Sequence, residues 1–584
     1  MTENPAGPGQ GRRIGVYICH CGGNISDHVD VAQVRDAFDD DPDVVVAQTS
    51  LFACSDGAQH AIIDDIREQQ LDGLVVASCS PKLHQATFRG VSERAGLNPY
   101  AYTQVNVREQ DSWAHTDDPE GATRKAIGLV RAGVASTRLS TALDPLRVET
   151  VPATMVVGGG IAGLRAAIGL ADIGLAVTLV EREPQLGGRL AQLGPMFPQG
   201  RSGREQVAQL VAEIAERPGI TVLTNAELVG KTGTFGNYTA KVRIRGEHSG
   251  ELRRIPVGTF VIATGADIYI PVDGELGHGN DGVVTLEEFG ALVEATAEGP
   301  LTYRGRRVRS VAYLYCVGSR RPGDNEYCSS FCCAATVHTS IQLARRDATV
   351  RQYHLHRDVR TYGRYEVLYT ESRERGSVYL RVPDDTPPTV EPMPDGRLAV
   401  TVVDLLTSPE PLTIPADLVV LVTGMVPRAN GELTGLLKLP IGPDGFYQEI
   451  HPKLRPVETV VDGVLIAGSC QGPKTAAASV ASGLAAVARS AGILKKCYTD
   501  LDPLVATVTE DACTGCAVCV ETCPYGAIGT ERRGERSLAT ISASTCKGCG
   551  GCVPYCPENA IDLLGYTDAQ MLAVIDSLAK EPVA

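Results

Sequence analysis

Three things are scarce in this 584-residue sequence: aromatic side chains (5%, with a single tryptophan), positive charge (the formal balance is −15), and long apolar runs. The acidic balance argues against a nucleic-acid binder, whose footprint is a basic face, and predicts an ordinary solvated acidic surface. No run of about twenty apolar residues occurs; the nearest candidate, 154–180, carries Arg165 and Asp172. The opening MTENPAGPGQGRR lacks the apolar core of a secretory signal. The expectation is a cytoplasmic protein with no membrane span and no nucleic-acid partner. Cysteine is not scarce. Eighteen of them in a reducing compartment predict metal or redox chemistry, not structural disulfides. The 62 glycines suit a fold with many tight βα turns.

Apolar runs alternating with polar, helix-like stretches predict parallel α/β architecture in several domains. Residues 1–147 read as an N-terminal α/β domain built on IGVYICH, VVVAQTS and LDGLVVASCS. A first dinucleotide fold is expected over 148–300, a second nucleotide-type fold over 301–430, and a return to the first over 431–500. Residues 501–584 read as a small domain with an internal repeat and a closing helix. The polar stretch 382–396, VPDDTPPTVEPMPDG, is expected to form a surface hairpin or excursion.

The repeat is the most specific signal. Cys513, Cys516, Cys519 and Cys523 precede Pro524, and Cys546, Cys549, Cys552 and Cys556 precede Pro557, each set in CxxCxxCxxxCP spacing. This is the bacterial two-cluster ferredoxin pattern, in which the fourth cysteine ligates the other cluster. One [4Fe–4S] cluster is therefore assigned to Cys513, Cys516, Cys519 and Cys556. The second is assigned to Cys546, Cys549, Cys552 and Cys523. Paired zinc sites are the alternative.

Gly158, Gly160 and Gly163 form GxGxxG between an apolar strand and an Ala/Leu-rich helix, and Glu181 closes the next strand. In that setting the glycines let backbone approach a pyrophosphate at a helix N-terminus, and the acid would hold a ribose hydroxyl. A glycine-rich core turn is the alternative. The following Leu186-Gly187-Gly188-Arg189 and the later Ala263-Thr264-Gly265 resemble the disulfide-reductase flavoproteins and imply FAD. In that family a late Gly-Asp holds the flavin ribitol. Here the matching stretch offers Gly468, Ser469, Gln471, Gly472 and Thr475, with serine in place of the aspartate. The resemblance implies a helix from Thr475 that aims its N-terminus at the flavin and stabilises a reduced anionic form, with Lys474 adding charge. A solvated loop lysine is the alternative for Lys474.

Such flavoproteins carry a second glycine fingerprint for a pyridine nucleotide. The corresponding strand here, VRSVAYLYCVGSR, runs into Cys316 instead, followed by YCSSFCC with Cys328, Cys332 and Cys333. Four thiols within eighteen residues are a soft set of the kind that selects iron–sulfur clusters. The adjacent pair is expected to diverge and ligate two irons. Buried packing thiols are the alternative.

With these features the chain resembles the HdrA family, the flavin-bearing polypeptides of heterodisulfide reductase. The resemblance rests on ICHCGGNI, FACSDGAQ, VVASCSPKLHQATFR, LNPYAYTQVNVREQDSW, GGRLAQL, the Cys316–Cys333 group, QGPK and the terminal repeat. The implied fold class is α/β, with an N-terminal parallel α/β domain, a thioredoxin-reductase-like FAD domain of two dinucleotide folds, and an α+β ferredoxin domain. It implies a cluster where NADPH would bind in a relative. It also implies FAD and several [4Fe–4S] clusters in an electron-transfer complex, some of whose members bifurcate electrons at the flavin. The sequence is a short form: the inserted ferredoxin of larger members is replaced by GPMFPQGRSGREQVAQLV. His338 stands where many members have a lysine near the flavin, and Asp111 where relatives often have cysteine. Histidine can titrate near neutrality, so His338 is the candidate for interaction with the flavin N5 or its proton.

Cys19, Cys21, Cys54 and Cys79 each follow an apolar strand. The carboxyl ends of parallel strands line one crevice, so a further [4Fe–4S] cluster is expected there, against inert structural cysteines. His20, His60 and His84 read as loop or capping residues. Cys470 and Cys497 have no partner by spacing.

The function expected is that of an FAD/iron–sulfur electron-transfer subunit, an oxidoreductase in which the cofactors carry the chemistry. Its partners would be polypeptides like HdrB and HdrC of heterodisulfide reductase. An electron-input subunit linked to hydrogenase, formate or NADH, and ferredoxin, would complete the set, around a homodimer within a larger complex. The alternatives are an NAD(P)H:ferredoxin oxidoreductase, against which the absent second GxGxxG speaks, and a non-enzymatic relay scaffold.

Overall fold

The computed structural model describes residues 11–246, 250–296 and 299–579. The chain divides into two compact units, 149–499 and a second made of 1–148 with 500–584.

In the second unit, Ile14–Cys19, Val44–Ser50, Gly73–Ser78 and Tyr102–Asn106 form a parallel sheet in the order Val44–Ser50, Ile14–Cys19, Gly73–Ser78, Tyr102–Asn106. The two central strands are buried at every position, which is why they read as unbroken apolar runs. Helices are set by local signals. Ser55 caps Asp56–Glu68, and Ser80 with Pro81 opens Pro81–Ala95. The cysteine repeat folds as two short antiparallel pairs, Ala506–Val508 with Ile561–Leu563 and Ile528–Arg533 with Arg536–Ile541. The final helix, Asp568–Ala579, lies on Pro119–Arg138, and Gln570 Nε2 donates to Ser136 O at 3.4 Å.

The larger unit holds two parallel five-stranded sheets. The first runs Ile220–Leu223, Ala176–Val180, Ala153–Val157, Thr259–Ile262, Val464–Ile466. The second runs Val283–Thr285, Leu418–Thr423, Ser310–Val317, Arg351–His356, Val378–Arg381. Each carries an antiparallel three-stranded excursion. The stretch 382–396 supplies the first strand of one, Thr389–Pro392, which pairs with Leu398–Asp404. After Gly188 the chain makes a short turn and a hairpin, Pro195–Met196 with Arg201–Ser202, and enters helix Gly203–Ala215 directly.

Ala476–Leu494 is long and apolar enough by length and composition to cross a membrane, although Ser479, Ser482, Arg489 and Ser490 interrupt it, so it is not an unbroken apolar run. Alanine, rather than large aliphatics, supplies much of its apolar character. One face joins Leu164, Ala167 and Ile168 of helix Ile161–Asp172 in a core through Ala486, Val487 and Leu494.

Candidate functional site

A cavity of about 1380 Å³ opens within the larger unit. Its floor is the turn after Ala153–Val157. Gly158 has φ +110°, and a Cβ there would lie 2.3 Å from Ala263 O. A Cβ on Gly163 would lie 1.9 Å from Gly158 O, so this glycine serves helix–strand packing and does not line the cavity. Gly160 faces open space and does line it. Glu181 is buried, with one carboxylate oxygen accepting from Gly159 N at 2.6 Å and the other from Glu183 N at 2.9 Å. Each oxygen keeps a further lone pair on a carboxylate held in fixed orientation.

Gly187, Gly188 and Arg189 form one wall, and Ala263, Thr264 and Gly265 another. Burial lowers the Arg189 pKa, opposed by Glu287. Gly468, Ser469, Lys474 and Thr475 line the far side. Thr475 Oγ1 accepts from Ala478 N at 3.2 Å and caps the helix whose N-terminus meets the cavity. Burial lowers the Lys474 pKa from its ordinary value, opposed by Cys470 and Glu449. Gln471 and Gly472 are not in the lining. Gln471 ties the loop together instead, its Nε2 donating to Pro456 O at 2.7 Å and its Oε1 accepting from Ser482 Oγ at 2.8 Å.

Two lining residues carry no signal in the sequence. Arg428 donates to Thr264 O and to Asp267 Oδ1, both at 2.8 Å, and Asn430 Nδ2 reaches Thr264 Oγ1 at 3.3 Å. Both brace the Ala263–Gly265 turn from more than 160 positions away, and no local motif marks them. These glycine turns, the anchored acid and the capped helix are the parts a dinucleotide needs, so the cavity fits FAD.

Helix Cys332–Arg346 connects this cavity to the second thiol set. Ala335, His338, Thr339 and Gln342 face the cavity. Cys332 and Cys333 do not line it and pack into the core of the second sheet, with Cys316. Cys316, at the end of its strand, is buried, and burial raises its pKa to about 11, with Cys333 and Cys328 also acting on it. Cys332 and Cys333 open the helix side by side and both are buried, and their mutual interaction raises the Cys332 pKa and lowers that of Cys333. His338 is 7% exposed, and burial followed by Arg345 lowers its pKa, so it is neutral at pH 7. Cys470 is buried beside the cavity and donates to Ile262 O at 3.3 Å.

In the N-terminal crevice, Cys19 Sγ accepts from Cys21 N (3.2 Å) and Ala53 N (3.4 Å), and its thiol lies in the fields of Cys21 and Cys54. Burial raises the Cys79 thiol to about 11, and Cys21 and Cys19 act on it too. The four sequence-distant thiols therefore share one crevice. Asp111, in the turn that follows the fourth strand of the same sheet, is fully buried. Burial raises it to about 6, opposed by Lys125, and neither oxygen has a hydrogen-bond partner among the described residues. His60 Nδ1 bonds Asp56 O within its own helix at 2.8 Å, and His84 Nδ1 meets Thr87 Oγ1 at 3.5 Å.

In the terminal repeat the Cys519 thiol lies in the fields of Cys516, Cys513 and Cys556. The Cys552 thiol lies in those of Cys546, Cys549 and Cys523. Each set borrows its fourth member from the other half. Backbone N–H groups reach the borrowed sulfurs, Ala527 N to Cys523 Sγ at 3.3 Å and Ala560 N to Cys556 Sγ at 3.2 Å. Among the described residues no three His, Cys, Asp or Glu side chains are gathered to hold a single ion. A cubane spreads its four sulfurs over four irons, a looser arrangement than one ion's tetrahedron. Burial that holds a free thiol protonated is offset when a metal deprotonates it, so the donor sets fit clusters.

Residues 152–311 match the family described as pyridine nucleotide-disulphide oxidoreductase, and 512–560 match the 4Fe-4S dicluster domain. Among solved structures, the thioredoxin reductase of T. acidophilum aligns over 58% of this chain and 97% of its own, with 17% identity and a TM-score of 0.39. The second of the HdrA-type iron-sulfur polypeptides of CoB–CoM heterodisulfide reductase in Methanopyrus kandleri is 36% identical, covering 88% of this chain and 91% of that one. The HdrA-type polypeptide of the H(2)/formate:CoB-CoM heterodisulfide,ferredoxin reductase of Methanococcus maripaludis is 33% identical, covering 97% and 98%. The chain belongs to the HdrA family of heterodisulfide reductases: it is an oxidoreductase component of a multi-subunit complex and transfers electrons through FAD and iron–sulfur centres.

Proposed function

We propose that the chain is an electron hub with one FAD and four [4Fe–4S] clusters, held by the two terminal sets, the Cys316/Cys328/Cys332/Cys333 set and the Cys19/Cys21/Cys54/Cys79 set. When bound, FAD exchanges electron pairs and the clusters single electrons, the division that flavin-based bifurcation requires. The observation that carries this reading is helix Cys332–Arg346, which presents His338 to the cavity and begins with the cysteine pair. The chain's own residues bind and tune. Gly158 and Gly160 admit the pyrophosphate, Glu181 accepts from the ribose, and Arg428 and Asn430 fix the turn that closes over the cofactor. Lys474 and the N-terminus at Thr475 favour negative charge on the cofactor. His338, neutral at pH 7, offers a ring nitrogen that accepts or donates one proton without adding fixed charge.

The names of the relatives point to partners. On this reading, polypeptides like those of a heterodisulfide-reducing module accept one electron stream and ferredoxin the other, with hydrogen- or formate-linked subunits as donors, around a homodimer in the cytoplasm. Anaerobic purification with a count of iron and flavin tests the cofactor content. About sixteen irons per FAD are expected. About eight, the complement of two cubanes, would leave only the terminal pair and remove both other assignments.

A further inference from the structure

The N-terminal crevice contains a cation that no motif announces. Strand Tyr102–Asn106 is followed by a single π-helical turn, Arg108–Ser112, in which Ser112 N donates to Val107 O (3.2 Å) and Trp113 N to Arg108 O (2.9 Å). Such turns are rare and frequently found at functional sites. Asn106 Oδ1 accepts from Arg108 N at 3.2 Å and Glu109 N at 3.0 Å, which fixes the start of the turn. Arg108 is thereby aimed back over the carboxyl end of the sheet, and its Nη1 donates to Cys21 Sγ at 3.1 Å.

Two further contacts hold the guanidinium there. Nη2 donates to Glu109 Oε1 at 2.7 Å, and the other oxygen of Glu109 accepts from Ser80 N at 2.9 Å, one residue beyond Cys79. The ring of Trp113, the only tryptophan in the sequence, lies 4.7 Å from the guanidinium carbon. After burial, Arg108 is also the strongest influence on the Cys79 thiol. The arginine side chain is 15% exposed, so solvent screens its charge only in part. One planar fork thus spans a thiol on one strand end and a carboxylate tied to the next.

We propose that Arg108 is a positioning residue that raises the reduction potential of the centre held by Cys19, Cys21, Cys54 and Cys79. This rests on the reading of that set as a cluster site. Reduction adds one electron, supplied in the test by the titrant, to a centre that is already anionic, and no proton need move. A fixed cation bonded to a ligand sulfur stabilises the more negative state further, and hydrogen bonds to cluster sulfurs are among the terms that set such potentials. Arginine does not lose its proton in the working pH range, so the bias is constant. Lysine would supply a point charge without the fork that reaches Cys21 and Glu109 together.

The test is an anaerobic redox titration of the full cofactor-loaded chain followed by electron paramagnetic resonance, for wild type, Arg108→Gln, Arg108→Lys and Cys79→Ser. The N-terminal centre is the signal that Cys79→Ser removes. In Arg108→Gln its reduction equilibrium should weaken at least tenfold, which is about 59 mV for a one-electron couple. Iron, FAD and the other centres should be unchanged, and Arg108→Lys should fall between. An iron-replete Arg108→Gln chain with an unmoved potential overturns the proposal. If that variant loses iron, Arg108→Lys decides on the same criterion. If Cys79→Ser keeps its full iron, the cluster reading fails and this inference with it. If Cys79→Ser loses about four irons while the Arg108 variants titrate like wild type, the cluster stands and the tuning role alone is lost.

Discussion

Gly163 and Gly160 belong to one fingerprint but do different physical work, and alanine substitutions separate the two roles. A Cβ on Gly163 would sit 1.9 Å from Gly158 O, well inside the 3.0 Å limit that real Cβ contacts respect. The obstructing atom is backbone, so no change of rotamer relieves it. Helix Ile161–Asp172 must move off strand Ala153–Val157 by about an ångström, the difference between those distances. Overpacking of this kind costs about 1–3 kcal/mol. The same movement takes the helix N-terminus off the phosphate position, so FAD affinity should fall about tenfold to a hundredfold at ~1.4 kcal/mol per decade. Gly160 is the control. Its Cβ would meet nothing within 4 Å, and its φ of −77° suits any residue. The expected result is that Gly163→Ala lowers both the thermal midpoint of the flavin-free chain and its FAD affinity. Gly160→Ala lowers FAD affinity alone, because its methyl meets only the cofactor. Calorimetry of deflavinated protein and flavin fluorescence on dilution read the two quantities. A Gly163→Ala chain with wild-type midpoint and affinity, or a Gly160→Ala chain with an equally lowered midpoint, refutes this division of labour.

Two other outcomes follow from buried groups. His354 is fully buried, stacked between Tyr313 (4.5 Å) and Tyr379 (4.4 Å) and bonded to Tyr315 OH at 2.9 Å, and burial lowers its pKa to about 3. Its folded value lies below its unfolded one, so its contribution is full above about pH 6.5 and is lost toward about pH 3, at about 1.4 kcal/mol per pH unit. Urea midpoints at two pH values in that window should therefore converge more in His354→Gln than in wild type, and equal slopes would count against the burial argument. In the terminal repeat, pairing Cys556→Ser with Cys513→Ser should remove one centre, about four irons, whereas pairing it with Cys546→Ser should damage both. Iron loss in the reverse order would assign the fourth ligands to their own halves.

What was legible in the sequence was whatever depends on close spacing. CxxCxxCxxxCP encodes its own loop, and even the exchange of fourth cysteines agrees with the fields around Cys519 and Cys552. The strand–turn–helix around Gly158 is equally local. Residues recruited across the fold were not legible. Arg428 reaches the Thr264 carbonyl from 164 positions away, and Arg108 reaches Cys21 from 87, each by a register of strands that no window of sequence contains. Side-chain direction was also hidden. Gln471 sits in a stretch that family likeness assigns to the cofactor, but its amide is engaged by Pro456 and Ser482.

The electrostatic consequence of His338 depends on the opposite wall of the cavity. A lysine at its position would bring a fixed positive charge on helix Cys332–Arg346, whereas the buried imidazole is neutral at pH 7. On the proposed reading, the return segment adds positive bias through Lys474 and the helix N-terminus capped by Thr475, beside the lining arginines Arg189, Arg346 and Arg428. Burial weakens the hold of Lys474 on its proton, so its charge is the more adjustable of the two and the helix terminus the constant one. His338 itself is thereby left without fixed charge at pH 7. On the proposed reading, a proton taken up at this wall meets an uncharged imidazole rather than a resident cation, so the helix that begins with Cys332 presents a group to the cofactor that gains charge only on protonation.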